Sequence, residues 1–282
     1  MRISLVIPVY NEQRWIGRCL DNVVRQTRPV DECLIVDNNS TDATLEIVGE
    51  YADRLPIKIL HEPRQGCVWA RQAGYDAASG DLICGIDADT YAEPEWVDVA
   101  STYMSANPYV GGIGGPAFIV DSPFAAKART AIRARAVESR YADAGPVGGL
   151  TGNNTVIRRS AWESSRGLVK NLPGTHEDVD VSYALRKSGF DLRLVPALAV
   201  GTSARRYQAS TRSNWQYLVA TIRTQRAHGD RKSAALQTVL MPLNIVQVMI
   251  AGLIFNAYDP GAGRWRIPAR NEADRISPLV HE

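Results

Sequence analysis

The chain has 282 residues, 45% hydrophobic and 22% charged, which suits one large folded domain with a modest extension and excludes a disordered segment. A net charge of +2 gives no electrostatic case for a nucleic-acid partner. Four cysteines, Cys19, Cys33, Cys67 and Cys84, form no Cys-x-x-Cys pair; three lie in apolar stretches, the pattern of buried free thiols in a reducing compartment.

The opening MRISLVIPVYNE carries one basic residue and a short apolar run, without the long apolar region of a signal peptide. This sets the expectation of a protein in the cytoplasm or at the inner face of the plasma membrane. Four runs, Ile3–Pro8, Cys33–Asp37, Ile57–His61 and Leu82–Asp87, are rich in Ile, Leu and Val without strict alternation. Strands buried on both faces of a parallel sheet read this way. Between them, Arg14–Gln26 puts Trp15, Cys19, Leu20 and Val23 on one helical face, and Thr41–Tyr51 does so with Ala43, Ile47 and Val48 behind a Ser40 cap. Val68–Ala78 is a third helix, stopping before Gly80. The repetition predicts an α/β layered fold.

Beyond residue 108 the pattern loosens. Gly111–Gly115 and Gly145–Gly152 read as flexible loops around a long helix, Pro123–Tyr141. A helix from Glu177 to Ser188 stops at Gly189, and a strand follows at Leu192–Val195. Residues 205–232 hold seven basic side chains against Asp230 alone, and residues 233–258 hold no charge at all. A basic segment beside an apolar one suits an anionic membrane surface. A span needs about 20 predominantly apolar residues, and Gln237, Pro242, Asn244, Gln247 and Asn256 interrupt this one. Leu236, Leu240, Leu243, Val246, Ile250 and Leu253 recur at helical spacing, as for an interfacial helix, a dimer contact or core packing.

In open α/β sheets, ligands bind beyond the carboxyl ends of the strands. Tyr10, Asp37 and the pair Asp87 and Asp89 all fall at such ends. Two carboxylates two residues apart on extended backbone can reach one divalent cation, or a cation and a ribose; hard oxygen ligands suit Mg²⁺ or Mn²⁺ sharing its shell with substrate phosphates. The turn before the first helix lacks the Gly-x-Gly-x-x-Gly of dinucleotide oxidoreductases and the Gly-rich Pro-Lys loop of sugar-phosphate nucleotidyltransferases.

Five blocks occur in fixed order: VIPVYNE at 6–12, DNNSTDAT at 37–44, ARQAG at 70–74, GDLICGIDADT at 80–90 and HEDVD at 176–180. Together they resemble the family-2 glycosyltransferases over roughly residues 3 to 205. The resemblance implies a GT-A fold, with a nucleotide-binding half at 1–107, an acceptor-binding half at 108–205 and a helical extension at 206–282. It implies an inverting transfer from a nucleotide diphosphate sugar, UDP-linked by family precedent, to a hydroxyl on a glycan or glycolipid. Pro8, Tyr10, Glu12, Asp37, Arg71 and Asp87 would bind the nucleotide, and Asp89 the Mg²⁺ or Mn²⁺. Asp178 would be the general base, with Asp180 its local competitor. Gly152, Asn153, Asn154 and Glu177 would face the acceptor. The chain departs from the family at Gln72, where Asn is usual, and in the stretch VGTSARRY, which lacks the histidine often found after the last strand. A polyprenyl-phosphate acceptor and a non-catalytic nucleotide-sugar binder are the alternatives. The absence of a Gln-x-x-Arg-Trp signature argues against a processive synthase. No nucleic-acid partner is expected, and the oligomeric state is open.

Overall fold

A computed structural model describes residues 1–139 and 145–265. The chain runs β1 (Ile3–Val9), α1 (Ile16–Val24), β2 (Glu32–Asp37), α2 (Thr44–Gly49), β3 (Ile57–His61), α3 (Cys67–Ala77), β4 (Leu82–Gly85), β5 (Thr90–Ala92), α4 (Trp96–Ala106) and β6 (Val110–Gly114). It continues through β7 (Ala117–Ile119), α5 (Ala125–Ser139), β8 (Thr155–Arg158), α6 (Arg159–Ser165), α7 (Glu177–Lys187), β9 (Asp191–Leu194), β10 (Val200–Thr202), α8 (Arg205–Gln208), α9 (Thr211–Ala227) and α10 (Arg231–Ala257).

Among the described residues, seven strands form the main sheet in the order β3-β2-β1-β4-β8-β6-β9. Pairing is parallel from β3 to β4, whereas β8 runs antiparallel to both neighbours, so the sheet is mixed. Period-two alternation explains its double burial: Ile3, Leu5, Ile7 and Val9 of β1 join the apolar layer of α1 and α4, while Val6 joins the layer of α3, α6 and α7. Each fully buried Ile or Leu of this kind contributes about 1.5–3 kcal/mol. A second sheet, β5-β10-β7, sits beyond the carboxyl end of β4.

The sheet orders its strands outward from β1 in both directions, with β2 on one side and β4 on the other. This reversal opens a crevice at the carboxyl ends of β1 and β4, the place where open sheets take ligands. The loops carrying Glu12 and Asp87–Asp89 both emerge there.

Several boundaries differ from the sequence reading. The glycine run expected as a loop is β6, because its neighbours press too close for side chains. A Cβ on Gly111 would lie 2.4 Å from Phe190, and one on Gly115, just past the strand, 1.8 Å from the Leu198 carbonyl. The α1 face is Ile16, Cys19, Leu20 and Val23, with Trp15 left half-buried at the cap. Ser40 does not cap α2; its hydroxyl accepts the Asn11 N–H at 3.1 Å, and Asp42 accepts the Thr44 N–H instead. The expected end of the long helix at residues 140–141 and the polar tail at 266–282 lie outside the described residues. Cys19, Cys33 and Cys84 are buried free thiols, and Cys67 is half-buried. Burial pushes the thiols of Cys33 and Cys84 up to about 12, so they stay protonated.

The last helix, α10, packs on α8 and α9 through Ala234, Met241 and Gly252. It is long and apolar enough to cross a membrane by length and composition. Its opposite face, including Leu236, Val239, Leu243, Val246, Ile250 and Leu253, is exposed.

Candidate active site

Loops after β1 and β2 are stitched together through Asn11, held in left-handed backbone, a conformation this short amide tolerates. Asn11 (φ 53°) accepts the Thr41 N–H at 2.8 Å on its side-chain oxygen, and Glu12 donates its N–H to the Thr44 hydroxyl at 2.8 Å. Asn38 clasps the approach to α3, donating to the carbonyls of Glu62 and Arg64 and accepting the Gly66 N–H, each at 2.7 Å. Asp37 closes β2 with an Asx-type turn, taking the Ser40 N–H at 3.0 Å, and pairs with His61 Nδ1 at 3.3 Å. Pro8 and Tyr10 are half-buried at the mouth of the same crevice.

Two ion-pair clusters occupy the crevice. In the first, Arg205 at the start of α8 grips both oxygens of Glu12 at 2.6 and 2.8 Å and sets its Nε 2.6 Å from Asp89 Oδ2. The Ser203 hydroxyl donates to the same Asp89 oxygen. Asp89 and Glu12 come from loops after β4 and β1, so Arg205 ties the two edges of the crevice together.

Arg71 is the hub of the second. This residue of α3 is 2% exposed and is held in its charged form by the carboxylates around it despite the burial. Its Nη2 lies 2.6 Å from Asp87 Oδ1, its Nη1 donates to the Gly152 carbonyl at 2.9 Å, and its Nε stands 3.4 Å from Glu177. A Cβ on residue 152 would come within 2.9 Å of Arg71 Nη2 and 3.2 Å of Glu177 Oε1, so glycine is what lets the three meet. The N–H of Gly152 donates to Asp178 Oδ2 at 2.9 Å.

Burial and the neighbouring Glu177 raise the pKa of Asp178 above the ordinary carboxyl range. For Glu177 burial pulls upward, but Arg71 and His176 outweigh it and the pKa falls. Thus two adjacent carboxyls are pushed in opposite directions. His176 is fixed beside them: its N–H donates to the Thr224 hydroxyl at 2.8 Å, and its Nε2 donates to the Tyr217 carbonyl at 2.8 Å, with the Tyr217 ring edge-on at 4.2 Å.

Two expectations change on this geometry. Asn154 is 0% exposed; it accepts the Trp96 indole N–H at 2.9 Å and donates to the Leu198 carbonyl at 2.7 Å. Both ends of its amide are consumed inside the protein, so it has nothing to offer an acceptor; Asn153, half-buried, is the side chain of that pair left at the surface. Asp180 is removed as a competitor for Asp178. It is buried, accepts the N–H groups of Lys170 and Asn171, and pairs with buried His228 at 2.6 Å. Gln72, the departure from the expected Asn, accepts a hydrogen bond from the Asn171 side chain. Arg205 and Ser203 were missed as site residues. The only sequence signal was their position just after the last strand, where a histidine was looked for, and Arg205 was read with the basic segment.

A hard divalent ion fits the chemistry of Asp89, an anionic oxygen donor at a strand end. Both contacts of Asp89 fall on Oδ2. His176, Glu177 and Asp178 also bring ligand-type atoms within 4.8 Å of one another. There, however, Glu177 is paired with Arg71 and Asp178 takes two backbone N–H groups, from Gly152 and Val179.

The family model described as Glycosyl transferase family 2 matches residues 4–165, more than half the chain. The chain belongs to this family. Its relatives include a putative glycosyltransferase EpsH of Bacillus subtilis, 36% identical over 97 residues, which are 34% of this chain and 28% of the relative. Glycosyltransferase AglE of Haloferax volcanii is 37% identical over 117 residues, 39% of this chain and 38% of that protein. The chondroitin synthase of Pasteurella multocida is 35% identical over 98 residues, 34% of this chain and 10% of that one. The family-2 chain therefore matches well under half the length of these curated relatives. Among solved structures, a mannosyltransferase of Pyrobaculum calidifontis in complex with GDP-Man and Mn²⁺ superposes with TM-score 0.59 at 22% identity, covering 95% of this chain and 76% of that one. Residues 1–349 of TarS from S. aureus, in complex with UDP-GlcNAc, give TM-score 0.56 at 14% identity over 90% and 89% of the two chains. The family-2 chain has the GT-A fold.

Proposed function

We propose that this family-2 chain moves a sugar from a UDP-linked donor to a hydroxyl of a glycan or glycolipid, with inversion at the anomeric carbon. The observation that carries the reading is the Gly152 peptide, whose carbonyl is held by Arg71 and whose N–H is given to Asp178. Through it the carboxylate just past the end of β4, Asp87, and the raised-pKa carboxylate of Asp178 are linked by one guanidinium and one peptide.

In this reading Tyr10 packs on the base, and Asp37 and Asp87 receive hydrogen bonds from base and ribose. Glu12 and Arg71 set the charge around the nucleotide, and Asp89 would hold a Mg²⁺ or Mn²⁺ ion, which when bound would supply Lewis-acid stabilisation to the departing diphosphate. Asp178 removes the proton of the acceptor hydroxyl as that oxygen bonds to the anomeric carbon and the bond to the diphosphate breaks. Its raised pKa makes it the stronger base of the pair. Glu177 stays ionised beside Arg71 and, with Asn153, orients the acceptor, while the Gly152 peptide positions Asp178.

The exposed face of α10 supports a peripheral seat on an anionic membrane, with the basic residues of α9 and the start of α10 toward lipid phosphates. The same face supports one alternative, transfer to a polyprenyl phosphate. A phosphate acceptor is already ionised and needs no base, so the Asp178→Asn variant separates the two.

Calorimetric titration of UDP, GDP and dTDP, with and without Mn²⁺, is the first test. Metal-dependent binding of UDP is expected. Binding of GDP or dTDP instead would change the donor, and no binding by any of the three would remove the transferase reading.

A further inference from the structure

The Glu12–Arg205–Asp89 cluster holds a cation at the carboxylate to which the proposed function gives a metal. Glu12 and Asp89 stand on opposite edges of the crevice, and Arg205 reaches both from a third segment at the foot of α8. Its guanidinium makes a two-pronged pair with Glu12 and sets its Nε 2.6 Å from Asp89 Oδ2. Five donors in a planar fork suit this double grip, which an ammonium cannot reproduce. The group is 16% exposed at its side chain, lies 5.8 Å from the Trp15 ring, and shares its Asp89 oxygen with the Ser203 hydroxyl.

We propose that Arg205 is a latch that competes with the divalent ion for Asp89 and releases it to the diphosphate of the donor. The proposal rests on the reading of Asp89 as the metal ligand. A divalent ion on Asp89 would sit beside a fixed positive charge, so the free protein disfavours it. A diphosphate changes both sides of that balance. It brings negative charge to the ion, and it offers the guanidinium phosphate oxygens for the same two-pronged pairing that Glu12 gives it. Metal and nucleotide then enter together, and neither binds well alone. The arrangement also screens two carboxylates, Glu12 and Asp89, from each other.

The test is titration of Mn²⁺ alone into the full-length protein, followed by the electron paramagnetic resonance of the free ion. The Arg205→Gln variant is expected to bind Mn²⁺ at least tenfold more tightly than the wild type without nucleotide. The gain in Mn²⁺ affinity on adding UDP, large in the wild type, should shrink in the variant. Adding Asp89→Ala to Arg205→Gln should erase the new affinity. Arg205→Lys keeps the charge but not the double grip, and an affinity between those of wild type and Arg205→Gln is expected; it also serves should the glutamine variant fail to fold. Mn²⁺ binding no tighter than wild type in either variant overturns the latch, as does a gain that survives Asp89→Ala. Because the ion is titrated without nucleotide, failure of the UDP-donor reading shows separately, as absence of nucleotide binding in the wild type.

Discussion

Asp178 Oδ2 lies 2.9 Å from the backbone N–H of Gly152, and that single peptide ties the candidate base to the arginine that holds Asp87. The bond orients the carboxylate without a second side chain, and its pull on the pKa is outweighed by burial and by Glu177, which raise it. Asp178→Asn is expected to lower kcat by about 10²- to 10⁴-fold, the usual worth of a general base, with UDP affinity within about twofold of wild type. Unchanged turnover would take the role from Asp178. Because the raised pKa belongs to a base that must be ionised, kcat/KM should fall as pH drops through that pKa and level off above it, and the limb should vanish in Asp178→Asn.

Gly152→Ala tests the same peptide without touching a charge. The added methyl would stand 2.9 Å from Arg71 Nη2 and 3.2 Å from Glu177 Oε1, so the guanidinium or the loop must move. A displacement of this size costs up to about 10²-fold in rate, and we expect loss of turnover with the melting temperature nearly kept. Wild-type kinetics in this variant would mean that the Arg71 hub has slack.

Asp180 and His228 should separate fold from chemistry. Removing one partner of a buried hydrogen bond leaves the other group unsatisfied at a cost of about 1–3 kcal/mol, and both side chains here are almost fully enclosed. Asp180→Ala should therefore shift the urea midpoint strongly while the folded fraction retains the UDP affinity of the wild type. A variant that stays stable but loses transfer would reverse the assignments of Asp178 and Asp180.

The face of α10 makes a separate claim. Flotation with vesicles containing anionic lipid should carry the protein upward at low salt and less so as salt rises. A double change, Leu243→Glu and Ile250→Glu, on two exposed positions should leave it at the bottom of the gradient. Retention of binding by that variant would move the lipid contact elsewhere.

The β1, β2 and β4 strands were plain in the sequence because they are buried on both faces and so are dominated by Ile, Leu and Val. β6 was not, since its glycines answer to Phe190 and Leu198, partners about 80 residues away that no local pattern reveals. Asp87, Asp89, Arg71 and Asp178 were legible from motif order, and the structure brings all four to one crevice. Asn154 was misread because an exposed and a buried asparagine look alike in a chain; what differs is the Trp96 indole beneath it. Arg205 was hidden for the opposite reason. Its charge fits the basic segment, and its partners Glu12 and Asp89 lie more than 100 residues away in the chain, where no local pattern reveals them.

His176 depends for both of its fixed contacts on α9, through Thr224 and Tyr217, while Asp180 and Tyr183 of α7 reach on to His228 and Asp230. Whatever pushes on the outer helices, a bilayer or a crowded neighbour, is thus geared to His176, two residues before Asp178. A chain cut after residue 205 would keep every motif of the family and still lose the wall against which Asp178 is set.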